Sequence, residues 1–427
     1  MNKINSILKE VVLKVKPSKE ELEEMNNLVD EKINHVDKKI KELKIDAEIF
    51  VGGSFAKKTV IKKDHYDVDI FLRFSKDYKD DVSELTKKIL ANMKNVSLIH
   101  GSRDYFKIKI RDDLFIELIP VVKVKKPEES LNITDLSYSH VKYINKKIKS
   151  EKIREEIMIA KAFCYANHCY GAESYIKGFS GYAIELLILY YGSFLKLIKA
   201  MSKVKEKTVI DIERQFKNKR QVMMDLNSSK LQSPIILIDP TYKNRNALAA
   251  LSEETFERFK KTANDFLKNP SLEMFEEKKT NLEKIKKDSS DKKYEFVLLE
   301  SITNKQEGDI AGSKLLKFYD HLTKEIEKFF DIKNKGFNYN GKVSARYFFV
   351  GKSKEEIVVG GPEIKDKKNV EAFKKEHKDY FTKKGRIYSK KIINFSLKNF
   401  VEKWVEKNAK KIKEMSVTEM KIVEYYF

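Results

Sequence analysis

The stretch that most restricts the fold is YDVDIFLRF, residues 66–74, where two aspartates stand one residue apart inside an apolar run. On a strand successive side chains alternate faces, so Asp67 and Asp69 share one face while Val68, Ile70 and Leu72 turn toward a core. Like charges this close repel unless a cation sits between them, and hard divalent ions such as magnesium are held through carboxylate oxygens. The competing reading is a pair of solvated acids at a strand's edge.

Two neighbours bear on that choice. FKIKIRDDLFIELIP, 106–120, reads as a hairpin turned at Arg111, Asp112 and Asp113, and its second strand puts Phe115, Glu117 and Ile119 on one face. Glu117 is then a third acid in an apolar strand, where an unpaired charge is costly, so a cation or a basic partner is expected. A structural salt bridge is the alternative. Upstream, the short apolar run AEIFV ends in Gly52, Gly53 and Ser54, followed by Phe55, Ala56, Lys57 and Lys58. Strand, glycine turn and helix start together form a phosphate cradle. The glycines admit close backbone approach, Ser54 offers a hydroxyl, and Lys57 offers a compact positive charge for a triphosphate.

Around this core the pattern divides the chain. Residues 18–43 open with a Ser-x-x-Glu capping box and carry helical periodicity, and residues 47–120 switch to short alternating runs, which predict a sheet. Helical patterning returns from about 139 to 200. KKTNLEKIKKDSSDKK, 278–293, reads as a linker or solvated helix, and beyond it EFVLLESI, SARYFFV and EEIVVGG predict strands while LLKFYDHLTKEIEKFF predicts a helix. The expectation is an α+β protein of three parts: a catalytic domain over 1–138, a helical domain over 139–275 and a C-terminal α+β region over 276–427. No internal repeat is evident.

Charge points to a partner. The chain has 87 Lys and Arg against 65 Asp and Glu, a net charge of +22, so a polyanion is the default ligand. No run of about 18 apolar residues exists and the first residues lack a signal peptide's layout, so no membrane partner is expected and a soluble, cytoplasmic protein is. The Lys- and Glu-rich surface also fits ion-pair networks of a hot environment. Cys164 and Cys169, in CYANHC, match neither a redox pair nor a zinc knuckle and read as helix core.

The series G-G-S-x-A-K, D-V-D-I-F and E-L-I-P resembles the nucleotidyltransferase superfamily that includes DNA polymerase β and poly(A) polymerase. KAFCYANHCYGAESYIKGFSGYAIELL (161–187), DPTYKNRNALAAL (239–251) and VVGGPEIKDKKNVEAFKKEHKDYFTKKGRIY (358–388) extend the likeness to the archaeal-type, class I CCA-adding enzymes. That resemblance implies a polymerase β-like palm, a helical second domain and a C-terminal region that grips the acceptor-stem half of tRNA. It implies nucleotide contacts from Gly53, Ser54, Lys57, Ser137, His140, Lys161, Tyr170 and Arg245, and two Mg2+ ions held by Asp67, Asp69 and Glu117. Ser137 stands where the family usually has threonine, which keeps the hydroxyl, and Glu117 stands where it has aspartate. Lys161 and Tyr170, nine positions apart, would share one side of a helix; a surface lysine and a half-buried tyrosine is the plain alternative, and for His140 a first-turn helix residue after Ser139. The implied reaction adds C, C and A to tRNA from CTP and ATP with release of pyrophosphate. A poly(A)- or oligoadenylate-type enzyme and a non-catalytic RNA-binding protein are the alternatives, and a homodimer is left open.

Overall fold

The computed structural model describes residues 2–101, 103–277 and 280–426. The chain forms two compact units, Met1–Lys278 and Lys279–Phe427. The α+β class expected from the sequence is the one observed.

In the first unit, helix α1 (Asn2–Val15) precedes α2 (Lys19–Glu42), which starts at the expected capping box: Ser18 accepts from the Glu21 amide and Glu21 accepts from the Ser18 amide. Then come β1 (Ala47–Val51), the one-turn α3 (Gly53–Ala56), β2 (Tyr66–Phe74), α4 (Val82–Leu90), β3 (Val96–Ile99), β4 (Tyr105–Arg111) and β5 (Leu114–Val122). The five strands form a sheet in the order β1-β2-β5-β4-β3. β2 and β5 run parallel, and the other neighbours antiparallel. One face is apolar, as the alternation requires: Val68, Ile70 and Leu72 join Ile116 and Leu118 in a core with Met25, Val29, Val36 and Ile40 of α2. The opposite face carries the acids.

A second core follows, built from α5 (Ser137–Lys147), α6 (Glu151–Ala166), α7 (Gly181–Tyr191), α8 (Phe194–Met201) and α10 (Glu253–Lys268), with α9 (Lys219–Asp225) to one side. α1 belongs to this core, through Leu8 and Val11, although it begins the chain. The region read as helical also holds a three-stranded sheet of β6 (Thr208–Asp211), β7 (Ile235–Asp239) and β8 (Tyr242–Asn246). β7 is buried on both faces, so its apolar run shows no alternation by which a reader could tell it from buried helix. Cys164 and Cys169 are free and buried. No single described helix is long and apolar enough to cross a membrane.

In the second unit α11 (Leu282–Asp291) fills most of the stretch read as a linker or solvated helix, whose first two residues lie outside the described residues. Leu282 and Ile285 of this helix pack on the buried Phe296 and Phe348. β9 (Glu295–Ile302), α12 (Asp309–Ile326), β10 (Phe330–Tyr339), β11 (Ser344–Ser353) and β12 (Glu356–Glu363) come next. They are followed by α13 (Lys367–Glu376), β13 (Tyr380–Lys383), β14 (Arg386–Ile392), α14 (Leu397–Lys407), α15 (Ala409–Glu414) and β15 (Glu419–Tyr426). Two sheets result, β10-β11-β9-β15 and β12-β14-β13. A groove of about 370 Å³ in this unit, lined by Val405, Ile412 and Met420 among others, includes none of the predicted site residues.

Candidate active site

Strand register assembles the acids. Asp69 of β2 is the direct partner of Glu117 on β5, and Glu117 is in turn the partner of Lys107 on β4, so the three form one row across the sheet. Asp67 lies two residues from Asp69 on the same face. Burial, with Asp67 adding like charge and Lys57 opposing, pushes the Asp69 carboxyl up to about 6. Burial and the charges of Asp69 and Asp67 push Glu117 up to about 8, against the pull of Lys107. The Lys107 ammonium stands 2.9 Å from Asp67 Oδ1 and 3.7 Å from Glu117 Oε1, and His65 Nε2 lies 3.3 Å from Asp67 Oδ2. Among the described residues no three His, Cys, Asp or Glu side chains are already drawn together in metal-binding geometry. The Lys107 ammonium lies between Asp67 and Glu117.

The glycine turn abuts this row. The Gly52 amide donates to the Asp69 carbonyl at 2.8 Å, which ties the turn to β2. Gly53 has φ +59°, and a Cβ there would stand 1.7 Å from Asp69 Oδ2, so backbone conformation and space both demand glycine. Ser54 follows in α3, its carbonyl accepting from the Thr59 amide at 3.0 Å.

Lys57 and Lys161 are brought together by a residue the sequence reading did not single out. Glu185 of α7 has a fully buried side chain; its Oε2 accepts from Lys57 at 2.5 Å, and its Oε1 accepts from Lys161 at 2.8 Å and from the Thr59 hydroxyl at 2.9 Å. Lys161 is only 2% exposed, so it is no surface lysine. Burial opposes ionisation of Glu185, but Lys161 and Lys57 outweigh it and hold the carboxyl down at about 2. Burial, with Lys57 adding to it, lowers Lys161 to about 8. Two ammonium groups sharing one carboxylate leave a buried surplus of positive charge. The lone acid in the apolar run AIELLIL was the available signal for Glu185.

Tyr170 corrects an expectation. α6 ends at Ala166, the chain turns through His168 at φ 54°, and Tyr170 pairs with Phe179 outside any helix. The left-handed His168, just past the Asn167 cap, ends the helix before the nine-residue spacing can apply. Tyr170 and Lys161 nevertheless converge: a Cβ on Gly181 would lie 2.9 Å from the Tyr170 hydroxyl and 3.8 Å from Lys161 Cε.

A second hub surrounds Asp239, at the end of β7. It accepts from Arg245 at 2.6 Å, from the Tyr182 hydroxyl at 3.0 Å and from the Thr241 amide and hydroxyl at 2.8 Å each. His140 Nε2 comes within 3.0 Å of Asp239 Oδ2 without the alignment of a hydrogen bond, and its ring stacks on Tyr182 at 4.2 Å. Burial opposes charge on Asp239, yet His140 and Arg245 outweigh it and hold the carboxyl below its ordinary range. Burial lowers His140, and the Asp239 carboxylate opposes that shift; Arg245 makes the aligned ion pair with Asp239. Ser137 begins α5, three residues before His140. Tyr182 joins the two hubs, with Lys57 Nζ 6.0 Å and the Arg245 guanidinium 5.6 Å from its ring centre.

Residues 155–276 match the family model described as tRNA nucleotidyltransferase, second domain. The chain is 30% identical over 399 residues to the CCA-adding enzyme of Methanocaldococcus jannaschii, covering 90% of this chain and 85% of that protein. It is 26% identical over 424 residues to that of Thermococcus gammatolerans, covering 95% and 90%. A match to the Nanoarchaeum equitans CCA-adding enzyme is 40% identical over 211 residues but spans about half of each, 49% and 52%. In fold alone, a solved structure of the Cid1 poly(U) polymerase aligns with 65% of this chain and 99% of its own at a TM-score of 0.52 and 12% identity. With a row of acids on a five-stranded sheet, a glycine turn against it, and near full-length similarity to archaeal relatives, the chain belongs to the CCA-adding enzyme family of tRNA nucleotidyltransferases.

Proposed function

We propose that the protein adds C, C and A to the 3′ end of tRNA, using CTP and ATP and releasing pyrophosphate. The observation that carries this reading is the register that lines up Asp69 with Glu117 on neighbouring parallel strands, with Gly53 closed down on Asp69. The donor set fits hard divalent ions: it is made of carboxylate oxygens, and the burial and mutual repulsion that raise Asp69 and Glu117 are relieved by a cation. Asp67, Asp69 and Glu117 would hold two Mg2+ ions. Bound there, such ions lower the pKa of an attacking hydroxyl and neutralise the leaving oxygens.

The chain's own residues do the rest. The Gly52-Gly53-Ser54 turn lets phosphate oxygens approach backbone and hydroxyl. Lys57 and Lys161 supply the buried positive surplus that a triphosphate neutralises, and Tyr170 closes the same corner by Gly181. His140 stacks on Tyr182 and the Arg245 guanidinium, held by Asp239, comes near the same ring to face a base, with Ser137 at the start of the helix that carries His140. The tRNA acceptor-stem half is held by the basic surface, read by shape and phosphate contact.

The test supplies tRNA lacking its 3′ end with CTP, ATP and magnesium and sequences the product. Addition of C, C and A followed by a stop is expected. Long adenylate tails would point to a poly(A)-type activity, and tRNA binding without pyrophosphate release to a non-catalytic RNA-binding protein.

A further inference from the structure

Lys107 has no part in the activity just described, yet it touches the centre of it. On β4 it is the direct partner of Glu117, and its side chain runs diagonally to Asp67 Oδ1 at 2.9 Å, passing 4.5 Å from the centre of the Phe115 ring. Phe115 is itself the β5 partner of Asp67, so the ring forms a wall under the ammonium between the two acids. The next residue of β4 on this face, Lys109, turns instead to the exposed Asp112 at 2.7 Å. Other cations lie near the row; Lys63 feels the charges of Asp67 and Asp69, but its ammonium stands over the Tyr165 and Tyr170 rings at 5.2 and 4.8 Å. Lys57 is held by Glu185, and His65 reaches Asp67 alone. Among the described ion pairs, Lys107 is the cation within 4.0 Å of two of the three acids.

A lysine ammonium is a compact, strongly hydrated point charge on a flexible stem. In charge and size of approach it is the side chain that most resembles a hard cation. The Lys107 side chain is 29% exposed, and Asp67 and Glu117 are 34% and 24% exposed, so the stem can swing outward without unpacking a core.

We propose that Lys107 is a built-in counter-cation: it occupies the place of the metal between Asp67 and Glu117 in the metal-free enzyme and gives it up when a divalent ion binds. The inference rests on the reading of Asp67, Asp69 and Glu117 as metal ligands. It assigns to the chain a competitor that keeps the acid row folded while empty and sets how much metal is needed to fill it. The ammonium and a divalent ion compete as positive charges for the same two carboxylates, so the lysine weakens metal binding by what its own contacts are worth.

The experiment measures Mn2+ binding to the full chain, without tRNA or nucleotide, by the loss of the free-ion electron paramagnetic resonance signal. Wild type, Lys107→Met, Lys107→Arg and Asp69→Asn are compared, each first checked by circular dichroism. Methionine keeps the length of the side chain and its contact with Phe115 while removing the charge. Lys107→Met should bind Mn2+ tighter by about two- to fivefold, the scale of one partly exposed ion pair, and Lys107→Arg should stay near wild type. A second readout is melting temperature: Lys107→Met should melt below wild type without metal and gain more on adding Mn2+. Equal or weaker Mn2+ binding by Lys107→Met, with binding still abolished by Asp69→Asn, overturns the counter-cation role and leaves the metal site standing. Should Lys107→Met not fold, Lys107→Arg binding Mn2+ markedly tighter than wild type would overturn it equally. No Mn2+ bound at this row by wild type or any variant overturns the metal reading itself, and this inference with it.

Discussion

Replacing Glu185 by Gln removes the carboxylate that Lys57 and Lys161 both hold, at a site with no exposed side-chain surface. Breaking one partner out of a buried ion network costs about 3–5 kcal/mol, because a buried charge is left uncompensated. The depression of Glu185 gives a matching figure: from about 4.3 in an unfolded chain down to about 2, at 1.36 kcal/mol per pH unit, is about 3 kcal/mol. Over the 278 residues of the first unit, an unfolding entropy of about 2.1 cal/mol/K per residue sums to about 0.6 kcal/mol/K, so the melting temperature should fall by about 5–9 °C. Scanning calorimetry at pH 7 measures this. The pH dependence carries a sign: a carboxyl with a depressed folded pKa contributes stability that is present above its unfolded value and lost as pH falls toward the folded one. The gap between wild type and Glu185→Gln should therefore be full at pH 7 and close between about pH 4.3 and pH 2. A gap under about 2 °C at pH 7, or one that persists unchanged into acid, would refute the role of Glu185 as ionised counter-charge.

Asp67→Asn and Asp69→Asn should each abolish nucleotide addition while leaving tRNA affinity, read by filter binding, nearly unchanged. Gly53→Ala forces a Cβ within 1.7 Å of Asp69 Oδ2 at a left-handed φ, so turnover should drop by roughly a hundredfold, the cost of about 1 Å of misplacement at a reacting centre. Arg245→Ala should lower discrimination against UTP and GTP by about ten- to hundredfold, the worth of one well-placed donor, when each nucleotide is offered to tRNA ending before the first C and again to tRNA ending in CC. Log affinity for tRNA should fall linearly and steeply with log salt, as counterion release from a +22 protein requires, and a flat response would leave that charge unexplained.

The acid row was legible because strand periodicity is local: two aspartates one residue apart must share a face, and Glu117 in an apolar strand announces a partner. The identity of that partner was not legible, since Lys107 reaches Asp67 across 40 positions of chain and only the register of β4, β5 and β2 brings them together. Glu185 shows the same limit at greater range, 128 positions from Lys57. Its lone charge in an apolar helix was as visible as that of Glu117, but nothing within a helical turn of it hints at two distant lysines. The β6–β8 sheet went unread because β7 is a five-residue strand buried throughout, with neither alternation nor helical period to display. Asp239 and Tyr182 went with it, since their meaning comes from Arg245 and His140 converging on them.

The placement of α1 in the second core has a consequence for synthesis on the ribosome. Leu8 and Val11 find their partners among residues 144–275, and Lys14 reaches Glu276 at 3.0 Å, so this helix leaves the ribosome well before its partners and is among the last to dock. At about 5–20 residues per second the chain needs on the order of 10 to 50 s to supply those partners. During that interval the five-stranded sheet and α2 can already close on their own core, while α1 trails as an amphipathic helix with its apolar stripe in water. Newly made chains halted before residue 144 should thus offer α1 to chaperones while protecting the sheet, and the two ends of the first unit meet only when its last helix has been made.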